Sequence, residues 1–351
     1  MQLVKFAKFG LLALSAAGLM ACTSADLARQ ATTPTAAATA GSFTFGLWGD
    51  MPYKKAGDDP KLPAVLRSIN ASDIAFSIYD GDIKDGSSKC TDDVYTSALT
   101  LFNTLRQPVV YVPGDNEWTD CHRTNKGSID PIERLGHLRR VLFASPLSLG
   151  QNTMALAHQG KPGEPYVENT RFSHGGVTFA GFNMPGSNNN FIANPKQCSS
   201  KSQRSAADCD KANAEFIARD AANSSWLKET FEQARSSNAK GLVLVVQGEP
   251  GFDVPETEEA DESTRPEVIG YRSFMTTLTQ ETERFKGQVL FVHGDMHVFK
   301  VDKPLYSPLK PMANFTRLAT FGSPSLHWVK VTVKPDTVNV FQIEPVWVNQ
   351  P

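Results

Sequence analysis

Short apolar segments recur along this chain, and each stops at a glycine beside an acidic or amide residue. The run 43–48 leads into Gly49-Asp50, 74–79 into Asp80-Gly81-Asp82, and 109–112 into Gly114-Asp115-Asn116-Glu117. The run 242–246 leads into Gln247-Gly248, and 289–292 into His293-Gly294-Asp295-Met296-His297. Runs of four to six apolar residues match buried strands rather than helices. Helical patterns lie near 60–69, 92–106, 131–142, 210–236 and 266–284. Strands separated by helices predict βαβ units and an α/β fold. The stretches 315–321, 327–333 and 337–343 read as strands with no helix between them, and 177–182 as a further strand. The expected architecture is two sheets packed face to face, flanked by helices.

In open α/β sheets, ligands bind beyond the carboxyl ends of the strands, where glycine lets the chain turn sharply. Five strand ends therefore direct Asp50, Asp82, Asp115, Gln247 and Asp295 with His297 toward one place. Carboxylates gathered together repel one another unless a cation neutralises them, so the pattern predicts a metal site. Taken singly, each Gly-Asp pair reads rather as a turn in which Asp caps a helix or makes an Asx-turn; the order and placement of all five carry the site.

These residues resemble the five ordered blocks of the calcineurin-like metallophosphoesterases: D-x-H, G-D-x-x-D, G-N-H-D/E, a strand-end histidine and G-H-x-H. Here they stand as Asp50-Met51-Pro52, Gly81-Asp82-Ile83-Lys84-Asp85, Gly114-Asp115-Asn116-Glu117, Gln247 and Gly294-Asp295-Met296-His297. The resemblance spans 42–345, and Trp226-Leu227 is similar to a pair common in that family. Only the second block is intact. Pro52, Asp115, Asn116, Gln247 and Asp295 stand where the family has His, Asn, His, His and His. The resemblance implies a two-sheet α/β sandwich and a metal-dependent hydrolase of phosphomonoesters or diesters. It implies two divalent cations: Asp82 bridging, Asp50 and His297 on one side, and Asp115, Gln247 and Asp295 on the other. Oxygen donors favour Mg²⁺ or Mn²⁺, with Ca²⁺ next and Zn²⁺ or Fe less suited; a single-ion arrangement also fits. Asp85 and Glu117 would support the ligands from behind. Asn116 replaces the catalytic histidine and donates hydrogen bonds without acid chemistry. That leaves His122 and His293 as candidate acids, His293 being equally a packed core histidine. Arg123 could neutralise phosphate, and the implied partner is a phosphorylated small molecule or ester. The rival reading is an inactive binding protein on the same fold.

The segment 188–190 reads as a plain polar turn, and the acidic stretch 256–262 as a solvated loop. Lys5 and Lys8 precede an apolar segment, 9–20, too short to span a bilayer. Leu19-Met20-Ala21-Cys22 resembles a bacterial lipobox. The expectation is a signal peptide over 1–21, lipidation at Cys22, an Ala/Thr-rich linker over 22–41 and a domain over 42–351. The protein would be exported to a bacterial envelope, lipid-anchored or secreted, and touch the membrane only through that anchor. An oxidising compartment favours disulfides among the remaining cysteines. Cys198–Cys209 closes a short polar loop and leaves Cys90–Cys121; no CxxC spacing supports zinc. Lys and Arg number 35 against 37 Asp and Glu, with no basic block, so nucleic-acid specificity is not expected. No G-x-S-x-G, P-loop or Rossmann fingerprint is present.

Overall fold

The computed structural model describes residues 41–53, 57–58, 60–253, 264–306 and 311–349. The leader, Cys22, nearly all of the linker and the acidic stretch 256–262 lie outside them. Twelve strands form two sheets among the described residues. The first sheet has the order β12-β11-β1-β2-β3, with β1 Phe43–Trp48, β2 Ser77–Tyr79, β3 Val109–Tyr111, β11 Trp328–Val333 and β12 Phe341–Val346. The second has the order β4-β5-β6-β7-β8-β10-β9. Its strands are β4 Ala157–His158, β5 Thr170–His174, β6 Val177–Gly181, β7 Gly241–Val245, β8 Gln288–His293, β9 Lys300–Asp302 and β10 Phe315–Ala319.

β1, β2 and β3 run parallel, as do β6, β7, β8 and β10, while the outer strands pair antiparallel. The expected two-sheet α/β sandwich flanked by helices is the fold observed. Three apolar layers account for it. Phe45, Leu47, Ile78 and Val110 meet Phe179, Val243, Leu290 and Val292 between the sheets. Alternate residues of the first sheet, such as Trp48 and Tyr79, face outward onto the helices Leu62–Ala71, Asp92–Phe102 and Pro131–Leu142. Leu242, Leu244 and Phe291 do the same against Ala206–Ser236 and Arg272–Arg284. Strands buried on both faces read as unbroken apolar runs, which is why they were legible. The tail strands β10 and β11 are consecutive but belong to different sheets, so the chain crosses the sandwich between them. β4, β5 and β9 were not expected: β4 and β9 are short edge strands, and β5 is a largely polar strand beside β4, all with little periodicity to read.

Both disulfides are present, Cys90–Cys121 and Cys198–Cys209. Among the described residues no helix is long and apolar enough to cross a membrane.

Candidate functional site

The parallel strands end at one edge of the sandwich, and their carboxylates meet there. Asp50 follows β1, Asp82 follows β2, Asp115 follows β3 and Asp295 follows β8. Oxygens of Asp82, Asp115 and Asp295 all lie within 4.8 Å of one another. The backbone is bent to bring this about: Asp50, Asp82, Asp295 and His297 have φ of 50°, 62°, 67° and 58°. Left-handed non-glycine residues cost about 1–3 kcal/mol each and cluster where a site over-determines them. Gly114 permits the approach, since a Cβ there would lie 2.2 Å from Asp82 Oδ1.

Burial, then Asp115, Glu117, Asp50 and Asp295, pushes the Asp82 carboxyl well above its ordinary range. Burial, then Asp115, does the same to Asp295. Asp115 is raised to about 6, by burial and then by Asp120. Among the described residues no lysine or arginine pairs with Asp82 or Asp295. Such a donor set fits a hard divalent cation.

Tyr53 was not foreseen. Its hydroxyl lies 3.2 Å from Asp50 Oδ1, 3.0 Å from Asp82 Oδ2 and 3.3 Å from His297 Nε2. It thus stands among Asp50, Asp82 and His297, the group read from sequence as holding one of two ions. Burial, then the charges of Asp82 and Asp50, holds the phenol up and protonated. His297 itself pairs with Asp50 at 3.2 Å through Nε2 and faces Ser323 O at 2.6 Å through Nδ1. Burial disfavours its charged form, but the hydrogen bond and charge of Asp50 outweigh this and raise its pKa.

Gln247, expected as a ligand, sits at the cluster's edge with both ends of its amide engaged. Its Oε1 accepts from Gly186 N at 2.5 Å, and its Nε2 donates to Asp295 Oδ1 at 3.3 Å. A backbone N–H needs an acceptor, so the amide turns a donor, not an oxygen, toward the cluster. Asn116 holds Asp82 twice, from backbone N at 3.0 Å and from Nδ2 at 2.5 Å. Behind it lies Lys126, fully buried, whose Nζ donates to Asn116 Oδ1 at 2.6 Å and Asp120 Oδ2 at 2.8 Å. A buried lysine is invisible to sequence reading, because lysines default to the surface. Glu117 Oε1 accepts from Gly114 N, Tyr111 Oη and Asp82 N, at 2.6, 2.8 and 3.2 Å, and so clamps two of the turns. Asp85 instead accepts from Ser87 and Ser88. Burial raises its pKa, but these donors outweigh it and hold the carboxyl below the usual range.

The turn after β6 is more than a polar loop. Ser187 to Asn190 all have positive φ, from 50° to 63°. Ser187 Oγ lies 2.6 Å from Asp115 Oδ2 and 2.8 Å from Asp120 Oδ1, and accepts from Arg123 Nη2 at 3.1 Å. Buried Arg219 braces the turn through Asn189 Oδ1 at 2.5 Å and Asn189 O at 2.8 Å. A Cβ on Gly186 would sit 2.9 Å from the Asp295 carboxylate, so this turn roofs the cluster.

Both candidate acids have lowered pKa values, and His293 belongs to the core. His293 is fully buried, bonded through Nδ1 to Gly294 O at 2.9 Å, with burial pushing its pKa down to about 4. Its ring lies beside Phe291 in the strand, as a core histidine. His122 is pushed down to about 3, by burial and then by Arg204, so it is neutral near pH 7 and cannot donate as an imidazolium.

In sequence the chain matches no family model and no curated protein. Among solved structures it is similar to PhoD, with a TM-score of 0.53 and 11% identity over 87% of this chain and 68% of that one. It is also similar to GAP50, the anchor in the inner membrane complex of Plasmodium, at 12% identity, TM-score 0.41, over 88% and 90% of the two chains. The 5'-nucleotidase from Candida albicans SC5314 matches at 12% identity and TM-score 0.41, over 87% of this chain and 51% of that one. The likeness to PhoD is one of fold alone, a two-sheet α/β sandwich flanked by helices.

Proposed function

We propose that the protein hydrolyses phosphoesters with a divalent cation held by Asp82, Asp115 and Asp295. The observation that carries this is the meeting of the buried carboxylates of Asp82 and Asp115 with the half-buried one of Asp295 at the carboxyl edge of the parallel strands, none of them paired with a lysine or arginine among the described residues. Mg²⁺ or Mn²⁺ suits the oxygen donors. When bound, the cation would offset the carboxylate charge and polarise a phosphoryl oxygen as a Lewis acid. One ion suffices in this reading, because the Tyr53 hydroxyl occupies the ground between Asp50, Asp82 and His297. Asn116, backed by Lys126, keeps Asp82 oriented. His297 lies at the rim, with its ring nitrogens facing a carbonyl and a carboxylate, both acceptors. That makes it the residue suited to give a proton to a leaving alkoxide.

The test is phosphate release from p-nitrophenyl phosphate, its bis-ester and an alkyl phosphate, by metal-stripped protein given Mg²⁺, Mn²⁺, Ca²⁺ or Zn²⁺. Turnover is expected with Mg²⁺ or Mn²⁺, lost in Asp82→Asn, with one ion per chain by mass spectrometry. His297→Gln should slow the alkyl ester about 10²-fold or more, and the p-nitrophenyl ester far less. The second reading, a binding protein without turnover, is favoured by Asn116 standing where the resembled family has its catalytic histidine. Bound metal with no turnover of any ester would establish that reading instead.

A further inference from the structure

Beside the carboxylate cluster lies a second cavity, of about 260 Å³, on the far side of Ser187 and Asp120. Its walls carry Arg123, Lys201 and Arg204. Asp120 also lines it but is already paired with both Lys126 and Arg123, and Glu267 stands on the exposed rim. Positive charge is therefore in excess at its centre. The neighbouring titrations agree: Arg204 pushes His122 down after burial does, and Arg123 lowers Arg204, whose burial acts in the same direction against the pull of Asp120. The cavity is built rather than incidental. One wall is the turn Thr119–His122, tied by Cys90–Cys121. The other is the loop carrying Lys201 and Arg204, tied to the long helix by Cys198–Cys209. Thr124 N donates to Lys201 O at 2.9 Å, and Arg123 pairs with Ser202 as an isolated bridge, so the two walls are strapped together. Arg204 donates to Cys198 O at 3.2 Å and Gln197 O at 3.4 Å, which orients it.

Arg123 is two hydrogen bonds from Asp115, through Ser187. An anion in this cavity would therefore lie a short spacer away from a phosphoryl group at the cluster. We infer that the cavity binds a second anionic group of the substrate, which is then a phosphoester whose alcohol portion carries its own phosphate or carboxylate a few bonds away. This rests on the phosphoesterase reading for the site it extends. It accounts for a cationic cavity beside an acidic centre, the arrangement needed to separate the two ends of such a molecule.

The test is calorimetric binding of propane-1,3-diylbisphosphonate and propylphosphonate, neither of which can be hydrolysed, to the full chain with and without Mn²⁺. The bisphosphonate should bind about tenfold tighter than the monophosphonate, one per chain. Lys201→Ala/Arg204→Ala should remove that preference and leave propylphosphonate affinity unchanged. Lys201→Glu, at an exposed position that uses only its backbone to strap the loop, should weaken the bisphosphonate alone, which guards against misfolding of the double variant. Equal affinity for the two ligands, or a preference that survives these changes, overturns the inference. If inorganic phosphate binds the same residues as tightly as the bisphosphonate, the cavity is a free-phosphate site and the inference is likewise overturned. If the preference holds but Mn²⁺ changes nothing, the cavity stands and the metal-dependent reading of the cluster falls.

Discussion

The Tyr53 hydroxyl does locally what a cation would do elsewhere: it places a proton between carboxylates that would otherwise repel. Removing it leaves Asp50 and Asp82 facing each other with one donor fewer. Tyr53→Phe is expected to destabilise the metal-free protein by about 1–3 kcal/mol, read by denaturant unfolding, and no change would show that the hydroxyl is not holding the pair. His293 supplies a pH test. Its folded pKa, about 4, lies below the ordinary value of 6.5. A depressed histidine contributes stability that is present above its unfolded pKa and lost as pH falls toward the folded one. Unfolding free energy should therefore fall from about pH 6.5 to about 4, by about 3 kcal/mol from this group. His293→Leu should flatten that limb, and an unchanged slope would assign the acid sensitivity to other groups.

At the scale of elements, turns rather than strands make the site. The strands bring their ends to one edge, and the turns then bend through left-handed backbone to aim the carboxylates inward. The turn 114–122 carries Asp115, Asn116, Glu117 and Asp120, and Cys90–Cys121 ties it to the segment after Asp85. Closing a 31-residue span constrains the unfolded chain, by about 3–4 kcal/mol in the chain-entropy account. Cys90→Ala/Cys121→Ala should lower unfolding free energy by that order and weaken Mn²⁺ binding as well. Lost stability with intact metal affinity would show that the turn holds its shape without the bond. Strap, brace and roof come from residues far apart in sequence: Lys201 on Thr124, Arg219 on Asn189 and Gly186 over Asp295.

For the whole molecule, the two disulfides fit an exported protein, and no described helix crosses a membrane. We propose, from the leader alone, that Cys22 carries a lipid and that the domain sits in the cell envelope on its Ala/Thr-rich tether. Cys22→Ser should move the protein from the membrane fraction to the soluble one. Persistence in the membrane fraction would mean that something other than Cys22 retains it.

The α/β class, the two-sheet layering and the convergence of Asp50, Asp82, Asp115 and Asp295 were all legible in the sequence. The physical reason is local: buried strands are apolar runs, and the glycine and acidic residues that end them stand beside them in the chain. The pairing of the cysteines was legible too, since one pair closes a short loop and leaves the other. Tyr53, Lys126, Ser187 and Gln247 were decided only in three dimensions. Tyr53 and Ser187 belong to turns whose direction depends on packing. Lys126 is buried by partners from another turn, and the face Gln247 shows the cluster is chosen by the backbone N–H of Gly186, 61 residues away. Residue types at strand ends named the ingredients of the site, but which atom of each faces the centre depends on hydrogen bonds that only the folded chain can make.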